Sequence, residues 1–292
     1  MHRRDFIQNT AAVLAMLFGA PISAKAPNSA FLSGEKNQMK ITDSAFKNYE
    51  RLFGDPAKSA LFKSDPEYFV NYVNFVFGEV YAESPSIDLA TRLKLILAAT
   101  TAAQGLDEFS AFVIPAIKNG VESVAVKEII YQTTPYIGAA KSLTFLNQAN
   151  RLFQENGIAL PLPNQKTTTL DNRQEKGLSV QRQFFCAGID KGNTTAPPDE
   201  QHIRRFLSAN CFGDYYTRRG LDLNFRELLT FVILASLGGA DPQVKAHVQG
   251  NLNIGHSRGF LIEVVTAILP YIGYPRSLNA LALIDALSPY QK

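Results

Sequence analysis

Four side chains in the C-terminal third have the right types to move a proton: Glu227, His247, Asn251 and His256. Imidazole titrates near neutral pH, so a histidine in a dry pocket can give or take a proton at a reacting carbon. A carboxylate beside it, the role open to Glu227, would set its tautomer and stabilise its charged form. A further donor, Asn251 or an arginine, would meet developing enolate charge. His247 and Asn251 fall with Val244, Val248 and Leu252 on one helical face. Two polar residues inside an apolar stripe need partners, and these could supply one another. The plainer alternative is a satisfied core histidine and a glutamate that only complements its helix dipole.

The elements that would position them are legible nearby. Residues 225–237 are apolar almost all round, which predicts a buried helix. Gly238 and Gly239 end it, since glycine accepts the left-handed conformation of a helix C-terminus. Asp241 and Pro242 start the next helix, Asp241 as the cap. A hairpin about Gly239 puts Asn251 level with Glu227 and offsets His247 by about 7 Å at the helical rise. Direct contact then needs a crossing angle or a bridging water. Four helices follow one another over 221–283, and the catalytic candidates all lie there. Tyr215, Tyr216, Arg218 and Arg219 precede the first of them in a predicted loop that could close over a pocket and offer arginine to an anion. His256 sits at a break, Gly255-His256-Ser257, as a candidate for a pocket mouth. Arg276, in the last turn, could hold a carboxylate.

The blocks RELLTFVILASLGG, KAHVQGNLNIG and PYIGYPRSLNAL, in that order and led by FGDYYTRRGLDLNFREL, resemble the carboxymuconolactone decarboxylase family, which shares its fold with alkyl hydroperoxidase D. The resemblance implies an all-α, oligomeric protein, a trimer or hexamer, with Glu227 and His247 at the family's acid/base positions. The peroxidase branch carries a Cys-x-x-Cys pair seven and four residues before the histidine. Here those positions are Ala240 and Gln243, so a thiol peroxidase would lack its nucleophile.

An internal repeat is also visible. VKEIIYQTTPYIGAAKSLTFL from Val126 aligns without gaps with LIEVVTAILPYIGYPRSLNAL from Leu261, an offset of 135. At that offset His247 falls on Phe112, Asn251 on Ala116, and Glu227 on Arg92 or, with one loop residue inserted, Leu93. The first unit keeps turn and packing residues and lacks every candidate side chain. The sequence therefore divides into a degenerate helical unit at 44–155, a connector at 156–176 held extended by Pro161 and Pro163, and a second unit at 177–292 with one site. The aromatic run 68–77 has no basic residues interleaved and reads as core or interface. Residues 191–198 read as a loop.

Residues 1–26 read as a twin-arginine export signal: Arg3-Arg4-Asp5-Phe6-Ile7, a short apolar run, then small residues at a cleavage site. Residues 27–43 read as a flexible arm. The mature chain would be periplasmic or secreted. The formal net charge is +3; without Arg3, Arg4, Lys25 and Asp5 the balance is 26 basic against 25 acidic residues, a net of +1. That leaves no case for nucleic acid, and no stretch beyond the signal is long enough to span a membrane. Export places Cys186 and Cys211 in an oxidising compartment, where a disulfide and two unpaired buried thiols are equally open readings. The spacing of Glu227, His247 and His256 matches no metal motif. The expectation is a cofactor-free, metal-free lyase or isomerase on a small carboxylated or lactone substrate. The alternatives are a peroxidase-like relative without its cysteine pair, and a non-catalytic binding or assembly protein on the same fold.

Overall fold

A computed structural model describes residues 40–186 and 188–290. The export signal, residues 1–26, and nearly all of the arm, 27–43, lie outside the described residues. Every regular element among the described residues is helical. Contacts divide the chain into two compact units, one ending at Pro85 and one beginning at Ser86.

The first unit holds α1 (Asp43–Phe53), α2 (Ala60–Ser64), α3 (Pro66–Val73), a π-helical stretch (Asn74–Glu79) and α4 (Val80–Ala82). Thr42 caps α1 by accepting from the Ala45 N–H. The aromatic run fills the core here: Phe69, Val70, Val73, Val76 and Phe77 are buried. Tyr49 meets Phe69 and Phe77 edge-on, with centroids at 5.4 and 5.3 Å.

The second unit holds α5 (Leu89–Ala102), α6 (Leu106–Lys118), α7 (Ser123–Ile137), α8 (Ala139–Glu155), α9 (Arg173–Phe185), α10 (Gly188–Thr195), α11 (Gln201–Phe206), α12 (Leu223–Leu237), α13 (Asp241–Asn253) and α14 (Arg258–Leu287). Asp88 caps α5 and Asp222 caps α12. In α12 every residue from Phe225 to Ser236 is buried, so the helix must run through the middle of the unit. It packs on α5, α7, α13 and α14. Gly238 and Gly239 take φ values of 74° and 68° and turn the chain from α12 into α13. No helix among the described residues is long and apolar enough to cross a membrane.

The contact boundary lies at Pro85–Ser86, and beyond it α5 and α7 bury their apolar faces against α12 and share one core with it. Three local expectations change. Residues 188–195 are helical rather than loop. The N-cap of α13 is Ala240, and Asp241 stands in the first turn, where its charge still favours the helix N-terminus. Most consequentially, Tyr215 and Tyr216, expected in a loop before α12, end a π-helix, Leu207–Tyr216, that continues α11. It lies backbone to backbone on α9. A Cβ on Gly177 would sit 1.9 Å from the Ser208 carbonyl oxygen, and one on Gly213 would sit 2.0 Å from that of Arg173. Only glycine permits that approach, and it turns Cys211, Phe212 and Tyr216 inward, where all three are buried.

Candidate active site

Glu227 lies in the second turn of α12 with no exposed surface, and His247 lies on α13 at 7% exposure. His247 Nδ1 is 2.7 Å from Glu227 Oε1. A carboxylate accepts, so Nδ1 carries the proton and Nε2 is left as the nitrogen that can bind one. The contact is direct, with neither a gap nor a bridging water, and the reason is Gly250. A Cβ at Gly250 would fall 2.2 Å from Glu227 Oε1. The carboxylate thus occupies the space where a side chain would be, three residues along the same face as His247. Phe185 and Tyr136 stand edge-on to the imidazole, with centroids at 5.2 and 6.5 Å.

The other carboxylate oxygen is held by the π-helix. Tyr216 donates to Glu227 Oε2 over 3.1 Å, and its hydroxyl also lies 2.5 Å from Thr230 Oγ1. The run of buried hydroxyls continues through Tyr136, 3.3 Å from Thr230, to the Cys211 thiol, which donates to Tyr136 over 3.6 Å. Burial pushes the Tyr216 and Tyr136 phenols well above their ordinary range; the Glu227 charge adds to the effect at Tyr216 and Cys211 adds to it at Tyr136. Burial also pushes the Cys211 thiol up to about 12. These groups therefore keep their protons, and Tyr216 meets the carboxylate as a neutral donor.

The remaining candidates are placed differently from the sequence expectation. Asn251 uses its amide N–H groups on the His247 and Glu227 carbonyl oxygens, at 2.7 and 3.2 Å, and its Oδ1 on His256 Nδ1, at 2.8 Å. Every polar atom of that amide is engaged, so it clamps α13 to α12 and has nothing left for an enolate. His256 is tied to Asn251, and burial lowers its affinity for a proton. Arg218 forms an ion pair with Glu128 at 2.9 Å and lies over the Tyr131 ring. Arg219 is exposed and meets its neighbours through its backbone, its N–H donating to the Gln165 carbonyl oxygen. Arg276 bonds the Ser236 carbonyl oxygen and covers Gly238, closing the C-terminal end of α12 away from Glu227. The structure brings together Glu227 and His247, with Asn251 and His256 behind them, and leaves the three arginines outside.

Sequence reasoning missed Gly250, Thr230, Tyr136 and the role of Tyr216. A glycine inside a helical pattern and a threonine inside an apolar helix are both visible signals. The contacts of Tyr136 and Tyr216 depend on the π-helix, which no spacing announces. Cys186 is exposed and Cys211 is buried, and both are free thiols. Among the described residues no group of three or more His, Cys, Asp or Glu side chains could hold a metal ion. A cavity of ≈ 350 Å³ is lined by Tyr216, Arg218 and Leu223, but neither Glu227 nor His247 reaches it.

The model of the carboxymuconolactone decarboxylase family matches residues 201–286. A 4-carboxymuconolactone decarboxylase of Acinetobacter baylyi is 24% identical over 116 residues, which cover 39% of this chain and 86% of that protein. A solved structure described as a gamma-carboxymuconolactone decarboxylase subunit of Burkholderia xenovorans aligns with 85% of this chain and 98% of its own, at 17% identity and a TM-score of 0.49. The matched span, residues 201–286, contains the Glu227–His247 pair and the π-helix holding it, and is similar to the carboxymuconolactone decarboxylase family.

Proposed function

We propose that this carboxymuconolactone decarboxylase-like protein is an acid/base lyase or isomerase acting on a small carboxylated or lactone substrate. The observation that carries the reading is the buried 2.7 Å contact between His247 Nδ1 and Glu227 Oε1. It leaves Nε2 as the working nitrogen, and it gives an imidazolium formed there a carboxylate to balance it. Loss of carbon dioxide beside a carbonyl leaves an enolate that needs a proton on carbon, and in this reading a His247 imidazolium, protonated at Nε2, gives it and returns to the neutral imidazole. Thiol peroxidase chemistry is disfavoured at Cys211, because burial keeps that thiol protonated.

We further read residues 1–26 as an export signal that delivers the chain to the periplasm or beyond, and the mature protein as a homo-oligomer, a trimer or hexamer. Tyr274 and Leu278, one turn apart on α14 and about 60% exposed, give self-association an apolar surface.

The Acinetobacter relative's name makes 4-carboxymuconolactone the first substrate to try. Carbon dioxide release would be measured for the wild type, Glu227→Gln and His247→Gln. Each variant should lose at least about 100-fold in kcat/KM, the usual share of one acid/base group. Turnover that survives both substitutions would falsify the mechanism and favour a binding or assembly role.

A further inference from the structure

A second cavity, ≈ 460 Å³, lies where α7 faces the connector between the two sequence halves. Its size suits a small organic molecule. Neither Glu227 nor His247 lines it, so it is separate from the candidate active site. One wall is apolar: Leu160, Pro161, Leu162 and Pro163 from the connector. The opposite wall is charged, with Lys127, Glu128 and Arg218.

The charges there do not balance. Glu128 is the only carboxylate lining the cavity, and it is already bound twice, by Arg218 and by Arg226, each at 2.9 Å. Arg226 is fully buried, and Arg218 is 17% exposed at its side chain. Lys127 is 8% exposed; its ammonium bonds the Asn150 side-chain oxygen and lies 5.8 Å from the Phe153 ring centroid. No carboxylate among the described residues pairs with it. The one carboxylate is thus taken by two arginines and Lys127 is left with none, whereas buried charge normally carries a partner of opposite sign. Burial also lowers the Lys127 pKa, the direction expected for an ammonium with no counter-charge. At the sequence offset of 135 the residue matching Lys127 is Ile262, so an apolar side chain stands at the related helical position and the lysine here is not a requirement of the helix.

We propose that this cavity binds a small organic monocarboxylate, its charged end between Lys127 and Arg218 and its apolar body along the 160–163 wall. The carboxylate supplies the charge that Glu128 cannot. The connector then forms part of a binding site and is more than a tether.

Benzoate and hexanoate serve as probes, titrated into the purified protein by calorimetry. Saturable binding is expected, weakened at least about tenfold (1.4 kcal/mol) by Lys127→Met and left intact by His247→Gln. A wild-type labelling measurement needs no variant to fold: reductive methylation of Lys127, followed by mass spectrometry, should slow when benzoate is present. The proposal is overturned by the absence of saturable binding of either probe at millimolar concentration. It is equally overturned by binding that His247→Gln abolishes while Lys127→Met spares, by preference for inorganic phosphate over both carboxylates, or by Lys127 labelling at the same rate with and without benzoate.

Discussion

Gly250→Ala is the sharpest perturbation available, because it tests the site's geometry without any knowledge of substrate. In an ordinary helix interior this change stabilises by up to about 1 kcal/mol, since alanine is the better helix former. Here the new methyl would stand 2.2 Å from Glu227 Oε1. The carboxylate is fully buried and pinned from the other side by Tyr216, so it cannot swing into water. Relief requires either a backbone shift between α12 and α13, an overpacking cost of about 1–3 kcal/mol, or loss of the His247 hydrogen bond, worth about 1.5–3 kcal/mol for a charged partner. Either route outweighs the propensity gain, and the variant should lose about 1–2 kcal/mol net. The assay is urea unfolding followed by far-UV circular dichroism, run in two backgrounds. In Glu227→Ala the clash partner is gone, and Gly250→Ala should then become neutral or stabilising. That change of sign is the signature, because it is a coupling between two named atoms rather than a general cost of altering α13. If Gly250→Ala destabilises both backgrounds equally, the carboxylate does not occupy the space above Gly250, and the account of why Glu227 and His247 touch directly is wrong.

Two further outcomes follow from the buried charges. Replacing Glu128 by Gln strips the fully buried Arg226 of its only carboxylate partner, and removal of one member of a buried ion pair typically costs about 3–5 kcal/mol; a fall in stability well below that range in urea unfolding would mean that Gln132 and the backbone carbonyls at 218 and 219 suffice to hold the guanidinium. On the alkaline side, the Cys211 thiol is held up to about 12 against an ordinary value of 9.0, with Tyr136 and Tyr216 raised as well. The unfolded chain releases these protons first, so the contribution of these three groups to stability should be constant below about pH 9 and fall between about 9 and 12, by up to 1.36 kcal/mol per pH unit for each group. Cys211→Ala should flatten the first part of that fall, and an unchanged pH profile would show that the thiol is not buried as described.

How much of this was legible in the chain depends on what kind of signal each feature leaves. Helical pattern carried α12 and α13, the first by its long apolar run and the second by its apolar stripe, with Gly238 and Gly239 between them, because periodicity is a local property. Glu227, His247 and Asn251 stood out because polar side chains interrupt that pattern. The failures are where the governing contact is remote. Tyr215 and Tyr216 read as part of a loop, yet they end a π-helix that presses against α9 where Gly177, more than thirty residues earlier, leaves room for it. Arg276 reads as an anion site because its sequence neighbours are turn residues, yet it is used up by a carbonyl forty residues away. Asn251 reads as a donor for substrate, but its amide is consumed by two backbone oxygens that the sequence does not place. A side chain's type shows what it is able to bind; whether that capacity is still available is a tertiary fact.

The two buried carboxylates of the second unit make the same point about function. Glu128 and Glu227 are both almost wholly buried, and either might be taken for the reactive one. Glu128 is neutralised by two guanidinium groups, which never give up their protons. That pairing ties α7 to α12 and to the segment before it. Glu227 has no arginine. It is held by a phenol that keeps its proton and by an imidazole that can gain one. Strength of burial does not separate the two residues. The identity of the donors does: two guanidinium groups hold Glu128, and a phenol and an imidazole hold Glu227.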